Sequence, residues 1–293
     1  MKSRGESPRR TFWIAIAIGV VTVGSLGSFF GANSFGQSNF EHARQNLRTS
    51  SVEIASALNL AIQHEQDLAI SAGAFIIEDS DASETNFIDW LDNVSAFKRY
   101  PEILAVAEVV VVRPSQLKNF AANAAINEKE SKAPSQTFTL TPPGRRPFYC
   151  LVDVELARPG LPEIPIGLDL CDSSLGPQLM QARDSGQPTY APDSLGGPAA
   201  FAVGTPLYRG GGHPRTVAGR RANLIGFTGT EILPKKILTT ALLGHSHTGV
   251  AFHYQGSGSN VTFTAGDRPK NAMSVSVSLH NGWHVRVFTA AVA

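Results

Sequence analysis

The chain has 293 residues, 25 basic side chains against 24 acidic ones, and 42% hydrophobic content. A near-neutral balance without a dense Arg/Lys run argues against nucleic-acid binding, which needs a basic face. Two cysteines, Cys150 and Cys171, are too few for a disulfide framework or a cysteine-based zinc site.

Residues 1–10 form a basic tail (Lys2, Arg4, Arg9, Arg10), followed by FWIAIAIGVVTVGSLGSFF over 12–30 without a charge. A span needs roughly 20 apolar residues to cross about 30 Å of hydrocarbon. Residues 11–31 are therefore predicted to be a transmembrane helix, with the tail cytoplasmic and the bulk exported. A cleaved signal peptide competes, but the best cleavage site, Phe30-Gly31-Ala32, puts a large Phe where a small residue is wanted.

Residues 36–78 lack proline and carry Val52, Ile54, Ala55, Leu58, Ala61, Ile62, Leu68 and Ile70 at helical spacing. They predict one long amphipathic helix leading out from the membrane. It packs on its own domain, and pairing with a second copy as a homodimer stays open. A polar break at 79–83 precedes a second helix over 84–97, with Phe87, Trp90, Leu91, Val94 and Phe97 on one face.

After Tyr100-Pro101 the β-branched run at 103–112 reads as a central strand and 115–127 as a short helix. Residues 148–156 and 164–170 read as strands joined through Arg158-Pro159-Gly160-Leu161-Pro162. A helix over 175–185 ends at Gly186, a residue type suited to a left-handed C-cap. Strands at 199–208 and 224–230 flank the Gly210-Gly211-Gly212 loop, and a helix over 231–243 leads to four alternating strands. The sum is an α+β architecture.

Pairing of 148–156 with 164–170 across the proline-rich turn would put Cys150 opposite Cys171. In an exported, oxidising setting those two can form a disulfide. Asp153 and Asp169 are charges inside apolar strands; either faces water or points into a pocket as an acceptor. Ser95-Ala96-Phe97-Lys98 and Ser115-Gln116-Leu117-Lys118 fit S-x-x-K without its partner motifs and are read as chance. His245-Ser246-His247 reads as a polar loop, not a metal site. Gly210-Gly211-Gly212-His213 with Arg215, Arg220 and Arg221 reads as a solvated tip, with an anion surface as the lesser option.

Several stretches in order resemble the CHASE domain, the extracytoplasmic sensory module of bacterial receptors and plant cytokinin receptors. They are Tyr100-Pro101-Glu102-Ile103-Leu104-Ala105-Val106-Ala107, Arg146-Pro147-Phe148-Tyr149-Cys150-Leu151-Val152-Asp153, and Gly167-Leu168-Asp169-Leu170 followed by Ala182-Arg183-Asp184-Ser185-Gly186-Gln187-Pro188. Thr205-Pro206-Leu207-Tyr208-Arg209 and Leu224-Ile225-Gly226-Phe227-Thr228 complete the series. The resemblance covers about residues 70–240. It implies a long N-terminal helix and two PAS-like, mixed or antiparallel sheets, one holding a small ligand: 79–241 as sensory core and 242–293 as a membrane-proximal sheet. Ligand-facing positions would be Phe148, Cys150 and Val152 on one strand and Phe201, Val203 and Thr205 on another, with Thr205 and Asp169 orienting the ligand. Gly204 and Gly226 would allow close approach. The adenine-reading positions of the plant receptors fall near Ser174 or Leu175 and at Gly204, which does not support a cytokinin.

The expected function is thus a single-pass membrane sensor, not an enzyme and without a cofactor. It would bind an unknown small molecule and signal to a histidine kinase or cyclic-dinucleotide output module on a longer product or a partner. The alternative is a non-catalytic envelope adhesion or scaffold protein with an empty PAS-like fold.

Overall fold

The structure is a computed structural model that describes residues 8–78, 84–130, 138–162, 164–165, 167–192, 200–256 and 258–290; most side chains before 41, and those of 125–130, lie outside the description. Helix α1 (Pro8–Glu78) runs for 71 residues. Its buried positions Ile54, Leu58, Ile62, Glu65, Leu68, Ala72 and Ile76 recur at three- and four-residue steps, so one stripe faces the core. Val52, Leu60 and Ile70 are more than half exposed on other faces. At Gly73 an added Cβ would stand 2.6 Å from Leu207 Cδ2, so the missing side chain lets α1 press onto the sheet. The predicted span at 11–31 falls in the part of α1 whose side chains are outside the description; the backbone there is helical. Among the described residues no helix is long and apolar enough to cross a membrane.

The predicted helix over 84–97 is two pieces, α2 (Glu84–Asn93) and α3 (Ala96–Arg99), because Ser95 takes a left-handed φ of 52° between them. The first sheet comprises β1 (Ile103–Val112), β2 (Tyr149–Ala157), β3 (Thr189–Pro192), β4 (Phe201–Tyr208) and β5 (Leu224–Ile232), in the order β2-β1-β5-β4-β3. Every neighbouring pair is antiparallel. Helix α4 (Leu117–Glu130) connects β1 to β2, and α5 (Gly176–Ser185) covers the sheet and ends at Gly186 with φ 73°. Helices α6 (Val217–Asn223) and α7 (Pro234–Ala241) flank β5. The second sheet, β6 (Thr248–Gly256), β7 (Ser259–Gly266), β8 (Ala272–Ser278) and β9 (Trp283–Ala290), has the order β7-β6-β9-β8.

No strand forms over 164–170 among its described residues. Pro165 cannot donate to a ladder, Gly167 has φ 92°, and only single bridges, Leu151–Asp169 and Thr141–Leu168, remain before a short 3-10 turn at Leu170–Asp172.

Two faces of the first sheet bury different things. One joins α1, α7 and the second sheet in a single apolar cluster that includes Leu58, Val106, Tyr190, Phe201, Val203 and Trp283. Trp283 stacks on Phe252 at 4.2 Å between ring centres, and Tyr190 meets it edge-on at 5.6 Å, which welds sheet to sheet. The other face carries Val109, Cys150 and Phe227, which pack against Leu175 and Leu179 at the start of and within α5.

Candidate functional site

Between that second face and α5 lies a cavity of about 90 Å³. One water needs about 15 Å³ on this measure, so the space takes a small molecule. The sheet hollows here because one cross-strand row reads Glu155, Ala107, Gly229, Gly204, Thr189 across β2, β1, β5, β4 and β3. The adjacent row reads Ala105, Glu231, Ala202, Ala191 across β1, β5, β4 and β3. Alanine and glycine leave the floor bare, and the roof comes from Leu175, Gln178 and Leu179 of α5. At Gly204 a Cβ would lie 2.5 Å from Leu179 Cδ2, so this glycine admits the roof.

A bulge in each of β2 and β1 shapes the wall, and the one in β2 aims a carboxylate. In β2 the partner of Glu108 is Val154 and that of Val109 is Val152, so Asp153 is an extra residue. Simple alternation from Cys150 and Val152 would turn Val154 towards α5 and Glu155 away. With the insertion, Val154 joins the α1-side core and Glu155 lines the cavity. Leu104 is the extra residue between Ile103–Ile232 and Ala105–Glu231, which turns Ile103 into the α1-side core although Ala105 lines the cavity; on β5, Glu231 reaches the cavity by plain alternation with Phe227 and Gly229. Glu155 Oε2 accepts from the Ile164 amide at 3.1 Å, and the Thr189 hydroxyl donates to the Gln178 carbonyl at 2.8 Å.

Behind the floor sits a second polar group. Glu65 of α1 is fully buried; its Oε1 accepts from Thr230 Oγ1 at 2.5 Å and its Oε2 from the Tyr190 hydroxyl at 3.3 Å. Burial pushes its carboxyl up to about 7, against the pull of those two hydroxyls. Thr230, itself at the cavity's edge, stands between the lining residues Gly229 and Glu231, and Tyr190 stands between Thr189 and Ala191. Burial also raises Glu108 to about 7, with the charge of Asp153 adding to it.

The predicted site residues divide. Phe148, Cys150 and Val152 belong to the α5-side cluster next to the cavity without lining it. Phe201 and Val203 pack in the α1-side core, and alternation puts Thr205 with them. The six positions therefore lie on both faces of the sheet; on β4 the cavity is lined by Ala202, Val203 and Gly204, so the predicted Val203 borders it while also packing in the α1-side core. Asp169 is also elsewhere. Wholly buried, it accepts from the amides of Cys150 at 2.9 Å and Cys171 at 3.1 Å through Oδ1, while Arg146 Nε lies 3.6 Å from Oδ2. It anchors the 3-10 turn. At Gly226 a Cβ would meet the Val109 carbonyl oxygen at 2.2 Å, so that glycine serves backbone approach. Cys150 and Cys171 form a disulfide with Cα atoms 5.3 Å apart. Sequence reasoning did not find Glu155, Gln178 and Glu231: no signal marks the bulge that turns Glu155, Gln178 sits on a helix whose cavity-facing side the pattern does not give, and Glu231 was assigned to a helix over 231–243 where β5 continues.

Other motifs resolve locally. Arg220 donates to the Asp184 and Pro214 carbonyls, and Arg183 and Arg221 pair with the Asp184 carboxylate, whose pKa they hold well below the usual range. His245 lies 3.6 Å from Glu53, and His247 occupies a positive-φ turn before β6. Among the described residues, the grouping of metal-ligand types close enough to share an ion is Cys150, Asp169 and Cys171, whose sulfurs are bonded to each other.

No protein of curated function matches the sequence significantly. Among solved structures, the extracellular domain of soHK1S-Z6, assigned as a histidine kinase, is 12% identical, with 85% of this chain and 94% of that one covered and a TM-score of 0.48. A methyl-accepting chemotaxis protein X is 11% identical, covering 84% of this chain and 96% of its own, also at 0.48. The ligand-binding domain of the Pseudomonas aeruginosa amino acid chemoreceptor PctC, in complex with GABA, is 12% identical over 86% of this chain and all of that one, at 0.42. The family model of the CHASE domain matches residues 80–264, well over half of the sequence, and the chain belongs to that family.

Proposed function

We propose that this chain is a membrane-anchored extracytoplasmic sensor that binds a small ligand between the first sheet and α5. CHASE domains are sensory and extracytoplasmic; the single span at 11–31, the ligand and the output are this reading's additions. The observation that carries it is the cavity floor. Strands β3 and β5 offer Thr189, Gly229 and Glu231 to the cavity on one face and hold Glu65 of α1 through Tyr190 and Thr230 on the other. A ligand that moves those strands changes the hold on α1, and α1 leads towards the membrane. The shift it produces is bounded by its differential affinity for the two arrangements. The output module is a histidine kinase or a cyclic-dinucleotide enzyme on a longer product or a partner.

Gly229 gives a direct test, because a Cβ there meets its nearest atoms only at ordinary contact distances of 3.7 Å. A chemically broad panel of small molecules is screened by thermal shift against the full chain in detergent, alongside Gly229→Leu. The expected result is at least one compound that raises the melting temperature of the parent and leaves the folded variant unmoved. Compounds that shift both equally bind elsewhere and overturn the assignment. A panel with no hit favours the empty-scaffold alternative.

A further inference from the structure

We propose that the solvent face of the second sheet carries a metal site, in which His253 of β6 and His284 of β9 hold one first-row divalent cation, Cu2+ most tightly. The inference goes beyond the ligand reading and does not depend on the cavity. The two histidines are direct partners across the antiparallel β6–β9 pair, with ring centres 6.4 Å apart and planes 30° from parallel. Both are half-buried, on the side of the sheet opposite to Phe252, Trp283 and Val285, which fill the core. A row of four polar side chains crosses the whole sheet here: Thr262, His253, His284 and Ser278.

That row sets the direction of each ring. His253 Nδ1 lies 2.8 Å from the Thr262 hydroxyl, and His284 Nδ1 lies 3.2 Å from that of Ser278. Thr262 stands on β7 and Ser278 on β8, the two outer strands, so each ring turns its Nδ1 away from the other ring. The two nitrogens of an imidazole sit on nearly opposite sides of its centre. Each Nε2 is therefore turned inwards, and the two come closer together than the ring centres. Neither Nε2 has a hydrogen-bond partner among the described residues. A hydroxyl that accepts from Nδ1–H selects the tautomer whose Nε2 lone pair is free, as an outer partner does for a metal-bound histidine. A cation about 2.0–2.1 Å from each nitrogen needs the two Nε2 atoms roughly 3–4 Å apart. Small side-chain rotations supply that approach, because opposed strand residues have Cα atoms only about 4.5–5.5 Å apart. Imidazoles suit copper, nickel and zinc, the order of affinities puts Cu2+ first, and water fills the remaining positions. Arg286, two residues along β9 on the same face, leans away from the pair. Its Nε donates to Ser274 at 3.0 Å and its guanidinium lies 5.5 Å from the Phe288 ring centre. Ser274 and Phe288 are strand partners on the side of Arg286 remote from His284.

The test titrates Cu2+ into the full chain in detergent, with glycine as a weak competing chelator, and counts coordinated imidazoles by pulsed electron paramagnetic resonance. The parent is expected to take up its first ion on two imidazoles. His253→Gln and His284→Gln, made singly, are each expected to weaken that ion about tenfold or more and to leave one imidazole. They lie on different strands, so the result does not hang on one variant folding. Thr262→Val, which removes only an orienting hydroxyl, is expected to cost about tenfold. The double variant His245→Gln, His247→Gln is expected to bind as the parent does. Zn2+ is expected to displace Cu2+ only in excess. No uptake by the parent, or a first ion on a single imidazole, overturns the site. So does an affinity that His253→Gln and His284→Gln leave unchanged, or one that the His245, His247 double variant abolishes.

Discussion

Glu65 shows what a single buried residue does to the whole. Its carboxyl is neutral in the fold at pH values where the unfolded chain would ionise it, since burial lifts it from 4.5 to about 7. Between those values the folded state binds more protons than the unfolded one, so stability falls as pH rises and levels off above about 7. The span corresponds to up to about 3 kcal/mol at 1.36 kcal/mol per unit. Glu108 changes stability in the same direction. Urea denaturation at pH 5 and pH 8 should therefore show the parent weaker at pH 8. Glu65→Gln, which keeps an acceptor for Thr230 and Tyr190, should lose much of that difference. An unchanged pH dependence in the variant would show that Glu65 ionises freely in the fold. Asp169 makes the complementary point: a charge inside an apolar stretch looked like a ligand contact, yet its acceptors serve two backbone amides and an arginine.

At the scale of elements, period and punctuation made most of the secondary structure readable. The 103–112 run became β1, and Gly186 caps α5 as its residue type suggests. What could not be read is where alternation slips. Asp153 and Leu104 look like any strand residue, and only the paired strands show that each is an insertion. The facing set drawn from β2 and β4 is split between the two faces of the sheet, since a strand's pattern gives two faces without saying which one meets a pocket. Four residues of β3 and seven of α6 were too short to stand out. The cysteine pair was legible although the strand argument behind it was not, because the bridge closes through a turn. Replacing Cys150 and Cys171 with Ser is expected to cost about 3 kcal/mol, the loop-closure value for the 21-residue separation, measured by chemical denaturation. On α1, Val52 and Ile70 are 62% and 63% exposed and are 18 residues apart, which is five turns, so they share a side. If two copies pair, as the proposed homodimer requires, that face is the seam. Val52→Cys and Ile70→Cys should cross-link two copies in mild oxidant in membranes, while Ser56→Cys beside that stripe should respond less; equal, weak trapping at all three sites would argue for a monomer.

In the molecule as a whole, α1, α7, the inner face of the first sheet and the second sheet share one core. The expected unfolding is a single cooperative transition seen alike by tryptophan fluorescence, to which the buried Trp283 contributes beside Trp13 and Trp90, and by far-ultraviolet circular dichroism. Two separated transitions would mean that the sheets melt independently. That shared core sets a limit on how the protein can be improved. On the proposed function, the contacts that keep it folded, from Gly73 against Leu207 to Glu65 beneath β3 and β5, are the ones a ligand would have to disturb to be noticed. A laboratory selection for heat resistance carried out without ligand would gather substitutions at that junction, because tightening it is the shortest route to a higher melting point. Such variants would hold the unliganded arrangement more firmly and bind ligand more weakly in proportion. Robustness and sensitivity would be traded at one place in the chain.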